Sequence, residues 1–420
     1  MKICSFKVTL GLLLISCTYS AFAVDPTEAK KWREDIDFYH ATLANKHLNL
    51  YHSISEKDFT DEVITLKHRL ADLTEPQIVM ELMRLTRLVN DGHTSFSIMS
   101  QSHHHFPMRF KLFDGDVRVV KSTTAQRKYL NSKLVAIDGK PISDVLRTLS
   151  PIVQHVENEF SLRESLMFGL TQDELLHAAG ITNKARQASF SFENDDGSEH
   201  RLTIDSVTMK EFVETTNISV NENRVFTSRS VTHSDNLNLS YDAVTKVAYI
   251  NFSEYSELEE MNVFADAVND FLNKQQAKNV IVDLRNNTGG DYFVGLHLIY
   301  ALLLVDSLDW ENGIYVLIGN RTFSAGMSNA THFRQMLNAT LVGEPTGANP
   351  NGYQEVGRAT LPNSQYAINY SKRIYRFQDN NTPGVQPDVL IKPSWQDYKK
   401  GEDKALQWVL DKISQENYSE

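Results

Sequence analysis

Regular alternation of strands and helices in the C-terminal part of the chain restricts the fold more than any other feature. Apolar, β-branched runs predict strands at 246–252, 278–283, 314–318 and 339–342. Helical patterns lie between these runs, at about 258–274, 292–305 and 324–337, and a final amphipathic helix is predicted at 403–414. Such alternation predicts a largely parallel sheet covered by helices, with functional loops at the carboxyl ends of its strands.

The preceding residues follow two other patterns. Capping signals at Asp25, Ser55 and Thr74 each precede a run with helical spacing of apolar residues, so 24–105 is predicted to be an N-terminal helical domain. The third helix is expected to stop at Asn90-Asp91-Gly92, with the glycine in a left-handed conformation. Short strands and turns then predominate in 106–232, which leaves 233–420 as an α/β core.

The N-terminus has the pattern of an export signal. Lys2 and Lys7 precede and flank the apolar run "VTLGLLLISC", and "SAFA" provides small residues for cleavage after Ala23, so 1–23 is predicted to be a signal peptide. An alternative is the lipobox-like "LISC", which would make Cys17 a lipid-anchored N-terminus. Both interpretations predict a periplasmic or other extracytoplasmic location.

Charge and hydropathy exclude several classes of partner. The net charge is −11, and removal of the signal peptide, which carries two lysines and no acids, takes it to −13. A chain this acidic is poorly suited to bind nucleic acid or an anionic membrane. The longest later apolar run, 293–305, is too short to cross a bilayer. We therefore expect neither nucleic-acid binding nor a transmembrane segment after the signal.

Two predicted strand ends carry residues that suit acyl-transfer chemistry. The first is "DLRNNTGGD" (283–291), and the second is "NRTFSAGMSNA", which places Ser324 between a strand and a helix. Taken alone, the glycine pair predicts a turn and the serine predicts a helix N-cap. Taken together, Ser324 could be a nucleophile, with backbone N–H donors for the developing oxyanion from Ala325 and from Gly289 or Gly290.

Several motifs occur in an order that resembles a known family. The segments "NVIVDLRNNTGGD", "RTFSAGMSNA", "LVGEPTG" and "GVQPDV" are similar to the catalytic core of tail-specific, or C-terminal-processing, serine proteases. "LVNDGHTSF" resembles the N-terminal region of the tricorn-like branch of that family. The resemblance implies a ClpP/crotonase-like core, with Ser324 as nucleophile and an oxyanion hole made by Ala325 and the glycine pair. "NSKLVAIDGKPISDVLRTL" is similar to the end of a PDZ-like module, which implies a degenerate PDZ-like or capping segment.

The resemblance also bears on the base that would activate the serine. Bacterial members of the family use a lysine about 25 residues after the serine, but Asn349 occupies that place here and the next lysine is Lys372. The tricorn-like branch uses a histidine from its N-terminal part, which corresponds to His93 in "DGH".

Other histidines fit the role of the base less well. His332 is eight residues along the same helix from Ser324, a rise of about 12 Å. His297 is expected in the core, and His103-His104-His105 in a solvated loop rather than at a metal site.

The sequence offers three candidates for the acceptor that would orient His93. Similar proteases place a glutamate shortly before "GV-PD", where this chain has Asn381. Asp379 is our first choice, because it lies two residues earlier and could reach the same place. Asn381 itself and Glu344 remain alternatives.

The sequence thus predicts an exported serine-type peptidase that acts on peptides or unfolded protein segments through an acyl-enzyme on Ser324, without a cofactor or a metal. One alternative is a non-catalytic protein that binds peptides or apolar ligands on the same scaffold. Another is an acyl-CoA enzyme of crotonase type, which export disfavours because CoA is cytoplasmic.

Overall fold

A computed structural model describes residues 23–219, 226 and 229–417, and the statements below concern these residues. The predicted signal peptide, with Cys4 and Cys17, lies outside the described residues. In the described part of the chain, every helix is too short or too polar to cross a bilayer.

The N-terminal region is helical, as the capping signals predict. Its α-helices are α1 (Pro26–Lys46), α2 (Glu56–Arg69) and α3 (Glu75–Arg87), and they are followed by the short strands β1 (Ser95–Phe96) and β2 (His104–His105). The side chain of Asp25 accepts hydrogen bonds from the first amides of α1, and Ser55 caps α2 in the same way. Thr74 and Gln77 form a capping box at the start of α3.

The middle region contains an antiparallel sheet and four α-helices among its described residues. Its strands are β3 (Met108–Phe113), β4 (Asp116–Ser122), β5 (Lys133–Ile137), β6 (Lys140–Pro141), β7 (Gln187–Glu193), β8 (Glu199–Asp205) and β9 (Val207–Thr208). Its helices are α4 (Ile142–Leu149), α5 (Glu159–Gly169), α6 (Asp173–Ala178) and α7 (Met209–Thr215). The sheet has the order β3-β4-β5-β7-β8, with β6 on β5, and β9 pairs with β2.

The C-terminal region has the predicted α/β architecture. Its strands are β10 (Arg229–Thr232), β11 (Leu237–Asp242), β12 (Val247–Phe252), β13 (Asn279–Asp283), β14 (Ile314–Ile318), β15 (Thr340–Gly343), β16 (Asn351–Thr360), β17 (Ala367–Arg376) and β18 (Val389–Leu390). Its helices are α8 (Leu258–Gln275), α9 (Tyr292–Leu303), α10 (Ala325–Leu337), α11 (Trp395–Lys400) and α12 (Lys404–Asn417).

The main sheet has the order β10-β11-β12-β13-β14-β15-β18 and is parallel from β12 to β18. All residues of β13 and β14 are buried, because α8, α9 and α10 pack on one face of the sheet and α12 on the other. Burial on both faces explains why these strands are continuous apolar runs in the sequence. The predicted mixed α/β fold class is confirmed.

A long hairpin joins the α/β core to the N-terminal region. Strands β16 and β17 pair with each other, and β17 also pairs with β1, with Ser95 opposite Asn369. Leu361, Tyr366 and Ile368 of this hairpin belong to the same buried cluster as the N-terminal helices and the β3–β8 sheet. This packing holds the residues just before β1 against the carboxyl ends of β13 and β14. The division at 105/106 and 232/233 remains a proposal.

Candidate active site

Ser324 lies in a strained turn between β14 and α10. Its φ of 50° and ψ of −124° are outside the usual regions for a residue with a side chain, a strain of about 1–3 kcal/mol. Hydrogen bonds hold the turn: the amide of Phe323 donates to the carbonyl of Asn287 at 3.0 Å, and Gly326 donates to Phe323 at 3.0 Å. The Ser324 side chain makes no capping hydrogen bond to α10, so the N-cap interpretation does not describe it.

His93 lies directly opposite this hydroxyl. Its Nε2 is 2.9 Å from the Oγ of Ser324, although 231 positions separate the two residues in sequence. The ring is 5% exposed and stacks on Phe323 with centroids 5.3 Å apart. Its backbone amide donates to Oδ1 of Asp91 at 2.9 Å, which fixes the loop. The structure therefore brings together the two residues that the resemblance implied.

The carboxylate against the other ring nitrogen belongs to Glu157, just before α5. Oε1 of Glu157 is 2.9 Å from Nδ1 of His93, and both side chains are almost fully buried. The ring N–H does not point along this line, so the contact is a close approach of carboxylate and ring and not a linear hydrogen bond. Such bonds often tighten only in the substrate complex. Oε2 of Glu157 accepts the amide of Asn349 at 2.7 Å, which holds the carboxylate in place.

The prediction that Asp379 orients His93 is therefore wrong. Asp379 is exposed in the loop after β17, and Glu157 occupies the position beside Nδ1. The same loop holds Asn381, whose side-chain oxygen accepts a hydrogen bond from Asn351 at 2.9 Å. Glu344 lines the adjacent cavity, and burial raises the pKa of its carboxyl group.

Asn349 stands where the bacterial relatives were expected to have lysine, and it supports the acid instead. Its backbone amide donates a hydrogen bond to the Glu157 carboxylate, and its Nδ2 donates to the Glu157 carbonyl at 3.2 Å. Its Oδ1 accepts from Asn158 at 2.8 Å and from the amide of Gly384 at 2.9 Å. Lys372 is nearly half exposed and faces Glu355 at 3.6 Å.

Gly92 has a different role from the one predicted. The left-handed residue after α3 is Asn90, with φ 57°. A Cβ at position 92 would lie 2.5 Å from Cγ of Glu157 and 2.9 Å from Cζ of Phe323. Glycine is needed here because the acid and the nucleophile loop both approach the backbone closely. The clearest sequence signal near Glu157 is the capping pair Asn158 and Ser161, which marks a helix start but does not link the acid to His93.

The glycine pair after β13 lies against the nucleophile. A Cβ on Gly289, whose φ is 106°, would be 2.6 Å from Cβ of Ser324 and 3.2 Å from the nitrogen of Ala325. The Gly289 amide already donates to Oδ1 of Asn287 at 2.9 Å. Among the described residues, the amides of Gly290 and Ala325 have no acceptor. This arrangement favours Gly290 over Gly289 as the second oxyanion donor.

A buried network supports the histidine loop from behind. Oδ2 of Asp91 is 3.0 Å from Nε2 of His47 and accepts the hydroxyl of Thr94 at 2.7 Å. Nδ1 of His47 accepts the amide of Asn49 at 3.0 Å, so Nε2 carries the proton and donates to Asp91. Burial raises the pKa of the Asp91 carboxyl, but these hydrogen bonds outweigh burial and hold the pKa below its ordinary value.

The charges around His93 raise the affinity of its ring for a proton. Burial disfavours the imidazolium and lowers the pKa, but the carboxylate of Glu157, with a further contribution from Asp91, outweighs burial. The pKa of His93 is therefore raised above its ordinary value. A ring that holds a proton more firmly is suited to take one from Ser324 during attack.

One cluster in the described part of the chain could hold a metal ion, and it consists of Asp91, His93 and Glu157. One donor atom from each of these residues lies within 4.8 Å of the other two. A metal at Nδ1 would displace the Glu157 contact. The Asp91 oxygens are already occupied by His47, Thr94 and the His93 amide. These contacts fit a proton-transfer array better than a metal site.

The remaining histidines lie away from the nucleophile or face other partners. His103–His105 do not form a solvated loop: His105 is buried on Thr171, and His104 contacts Glu174 at 2.6 Å. His297 is half-buried rather than in the core. Nδ1 of His332 contacts the carbonyl of Ser328 within α10.

Ser324 and His93 open into a cavity of about 920 Å³. The β13 and β14 ends supply one wall, including Thr288 and Asn320, and strand β3 of the middle region supplies another, including Arg109. A space of this size accepts several residues of an extended chain but not a folded domain.

Comparison with known proteins adds independent findings. Residues 246–304 match the model of peptidase family S41, and no curated protein matches the chain. Among solved structures, mature CPAF complexed with lactacystin aligns over 92% of this chain and 97% of its own, with 13% identity and a TM-score of 0.65. Mature CPAF alone aligns over 92% and 96%, with 14% identity and a TM-score of 0.63. The photosystem II D1 C-terminal processing protease aligns over 88% and 94% at 15% identity, with a TM-score of only 0.39. The likeness to CPAF shows a shared fold.

Proposed function

We propose that this chain is a serine-type peptidase of family S41, whose model matches residues 246–304, and that it hydrolyses peptide bonds in peptides or unfolded protein segments through an acyl-enzyme on Ser324. The observation that carries the proposal is the array in which the Ser324 hydroxyl, the His93 ring and the Glu157 carboxylate meet at 2.9 Å each. Nucleophile, base and orienting acid in this order are the requirement for activating a serine.

In the first half-reaction, Oγ of Ser324 attacks the substrate carbonyl carbon while Nε2 of His93 takes the hydroxyl proton. The negative charge of Glu157 stabilises the imidazolium that forms. The carbonyl oxygen becomes an oxyanion and accepts hydrogen bonds from the free amides of Ala325 and Gly290. When the C–N bond breaks, His93 gives its proton to the leaving amine, and the acyl group remains as an ester on Ser324.

In the second half-reaction, a water molecule gives a proton to Nε2 of His93 and attacks the ester carbonyl. The same amides stabilise the second oxyanion. Breakage of the C–Oγ bond releases the carboxylic acid, and the proton returns from His93 to Ser324. The array is then restored without any cofactor.

The shape of the site supports peptides and unfolded segments as substrates. Strand β3 faces the nucleophile across the cavity, so the middle region acts as a cap over the site. A substrate must enter this space as an extended chain to place a carbonyl at Ser324. We also propose that the middle region is a degenerate PDZ-like or capping segment, on the strength of the resemblance of residues 131–149 to the end of a PDZ-like module.

We also propose that the protein is exported, on the strength of the N-terminal signal pattern. Val24, the first residue after the predicted cleavage site, donates a hydrogen bond from its backbone nitrogen to the carbonyl of Leu73 at 3.0 Å, and the terminal ammonium group left by cleavage could make the same bond. Mass measurement of the protein from a bacterial periplasm should give a chain that starts at Val24. A lipid-modified mass that disappears in Cys17→Ser would support the lipoprotein alternative instead.

The central test is turnover of an unstructured fluorogenic peptide by wild type and Ser324→Ala, with Ser256→Ala as a matched control on the same α/β core. Wild type and the control should cleave the peptide, and Ser324→Ala should lose at least about 10³-fold in rate. If correctly folded wild type cleaves none of a broad peptide set, the non-catalytic binding alternative is favoured.

A further inference from the structure

The active-site cavity contains an arginine, Arg109, that has no counter-charge among the described residues. Arg109 lies on β3 and lines the same cavity as Ser324. Among the described residues, no carboxylate and no hydrogen-bond acceptor contacts its guanidinium group. The guanidinium group instead makes a cation–π contact with Phe212, whose ring centroid is 4.6 Å from the guanidinium carbon.

Two further cations lie near Arg109 in the wall of the cavity. Lys121 is its register partner on β4 and also lines the cavity. Arg321, three residues before Ser324, lines it as well and is 4.0 Å from Glu164, a distance too long for a hydrogen bond. Burial, followed by repulsion from Arg321, lowers the pKa of Arg109.

Two other cations of the cavity wall differ from Arg109 because each has a close acidic partner. Arg285 is bound by Asp283 at 2.6 Å and by Asp403 at 2.8 Å. Lys404 is 2.6 Å from Glu402. The wall therefore contains acids, but none of them pairs with Arg109 among the described residues.

A half-buried guanidinium without an acceptor is unfavourable, because it loses water and gains no ion pair in return. The cation–π contact with Phe212 recovers part of this free energy. The N–H groups of a planar guanidinium match a carboxylate with two parallel hydrogen bonds. Among the described residues, no anionic group fills this position, so the site is prepared for an anion that a bound ligand would supply.

We infer that Arg109, assisted by Arg321, is a specificity residue that binds a carboxylate of the substrate while Ser324 attacks a peptide bond. The carboxylate comes either from an Asp or Glu side chain or from the free C-terminus of the substrate, since the two have the same chemistry. This inference rests on the proposed function for its biological meaning, but the binding step can be measured without turnover.

The experiment uses binding to the Ser324→Ala protein, so that turnover does not affect the result. An equimolar mixture of octapeptides is prepared with Glu or Gln at each position, and with either a free acid or an amide at the C-terminus. Peptides retained by immobilised Ser324→Ala are identified by mass spectrometry. We expect at least about tenfold enrichment of an acidic member over its neutral counterpart, which corresponds to about 1.4 kcal/mol. Enrichment by side chain or by C-terminus identifies the source of the carboxylate.

Variants then assign the effect to Arg109. In Ser324→Ala/Arg109→Gln the enrichment should fall to about one, and Arg109→Lys should restore part of it, because lysine keeps the charge but not the two-pronged geometry. Ser324→Ala/Arg147→Gln is the matched control: Arg147 is largely exposed on α4 and pairs with Asp144, so the enrichment should persist. The melting temperature of Arg109→Gln should not fall by more than about 2 °C, because Arg109 makes no ion pair that the fold depends on.

Two outcomes would overturn the inference: equal retention of acidic and neutral peptides by Ser324→Ala, or unchanged enrichment after Arg109→Gln. Failure of the proposed function is a different result, namely binding without hydrolysis by wild type. A marked loss of thermal stability in both Arg109→Gln and Arg109→Lys would assign Arg109 a structural role and also contradict the inference.

Discussion

Replacement of Glu157 by glutamine tests whether this residue, and not Asp379, is the acid of the catalytic array. The substitution keeps the size of the side chain and an oxygen that can accept from Nδ1 of His93, but it removes the negative charge 2.9 Å from the ring. Any effect on rate therefore reports mainly on the charge and less on the orientation of the ring.

The expected magnitude follows from the burial of the pair. Both side chains are about 5% exposed, and removal of one partner of a buried ion pair costs about 3–5 kcal/mol. The imidazolium forms only during the reaction, so this loss falls on the transition state. At 1.36 kcal/mol per factor of ten, kcat/KM should fall by about 10²–10⁴-fold.

The pH dependence gives a second and independent readout. His93 must be neutral to accept the Ser324 proton, so kcat/KM should rise with pH through a pKa above the ordinary histidine value of about 6.5. In Glu157→Gln the carboxylate no longer raises the pKa, whereas burial still lowers it. The rising limb should therefore move to lower pH even though the maximal rate falls.

The assay is kcat/KM for a fluorogenic peptide between about pH 4.5 and 9, with Asp379→Asn as the matched control. Asp379 is exposed in the loop after β17, so its variant should keep the rate and profile of wild type. The reasoning would be refuted by a Glu157→Gln profile that moves to higher pH, or by a large loss of activity in Asp379→Asn but not in Glu157→Gln.

Three further substitutions test the supporting contacts. Gly92→Ala should lower activity and destabilise the fold by about 1–3 kcal/mol, measured by denaturant unfolding, because its Cβ would meet Glu157 at 2.5 Å; unchanged stability and rate would contradict the close approach. Gly289→Ala should reduce kcat by at least about 10²-fold, since its Cβ would lie 2.6 Å from Cβ of Ser324. Gly197→Ala is the control: it lies at a surface turn that also has a positive φ, so this substitution should affect stability only. Asp91→Asn should destabilise the protein by about 1.5–3 kcal/mol at pH 7, because it removes the charged acceptor of the hydrogen bonds from His47 and Thr94. Because the Asp91 pKa is lowered in the folded state, its contribution is present above the unfolded pKa of about 3.9 and is lost as pH falls through the lower folded pKa. A stability difference that does not shrink in acid would contradict this assignment.

The α/β core could be predicted from the sequence because its strands are buried on both faces and its helices alternate with them. Every residue of β13 and β14 is buried, and this leaves uninterrupted apolar runs that polar loops then end. Ser324, Ala325 and the glycine pair follow these runs directly, so their neighbourhood is a local property of the topology.

His93 could be identified only through the resemblance, because its approach to Ser324 depends on how β1 pairs with the β16–β17 hairpin. Glu157 was missed for a related reason. It lies in a segment expected to be rich in strands and turns, just before α5, and its partner Asn349 was noted only for not being lysine. Long-range packing of this kind leaves no periodic pattern in the sequence.

The exchange between Gly92 and Asn90 shows a further limit. A glycine after a helix is usually explained by a left-handed conformation, but here Asn90 has the positive φ and Gly92 leaves room for Glu157. Sequence can indicate that a small residue is needed, but only the folded contacts show why.

Activation of Ser324 by His93 is tested most directly by reaction with a fluorophosphonate. Mass spectrometry of the labelled peptide identifies the residue that reacts, and the time course gives the labelling rate. If His93 activates Ser324, we expect a single adduct on Oγ of Ser324 in the wild-type protein. The labelling rate should be at least about 10³-fold slower in His93→Ala. An adduct on another residue, or the same rate without the imidazole, would contradict the claim that His93 activates Ser324.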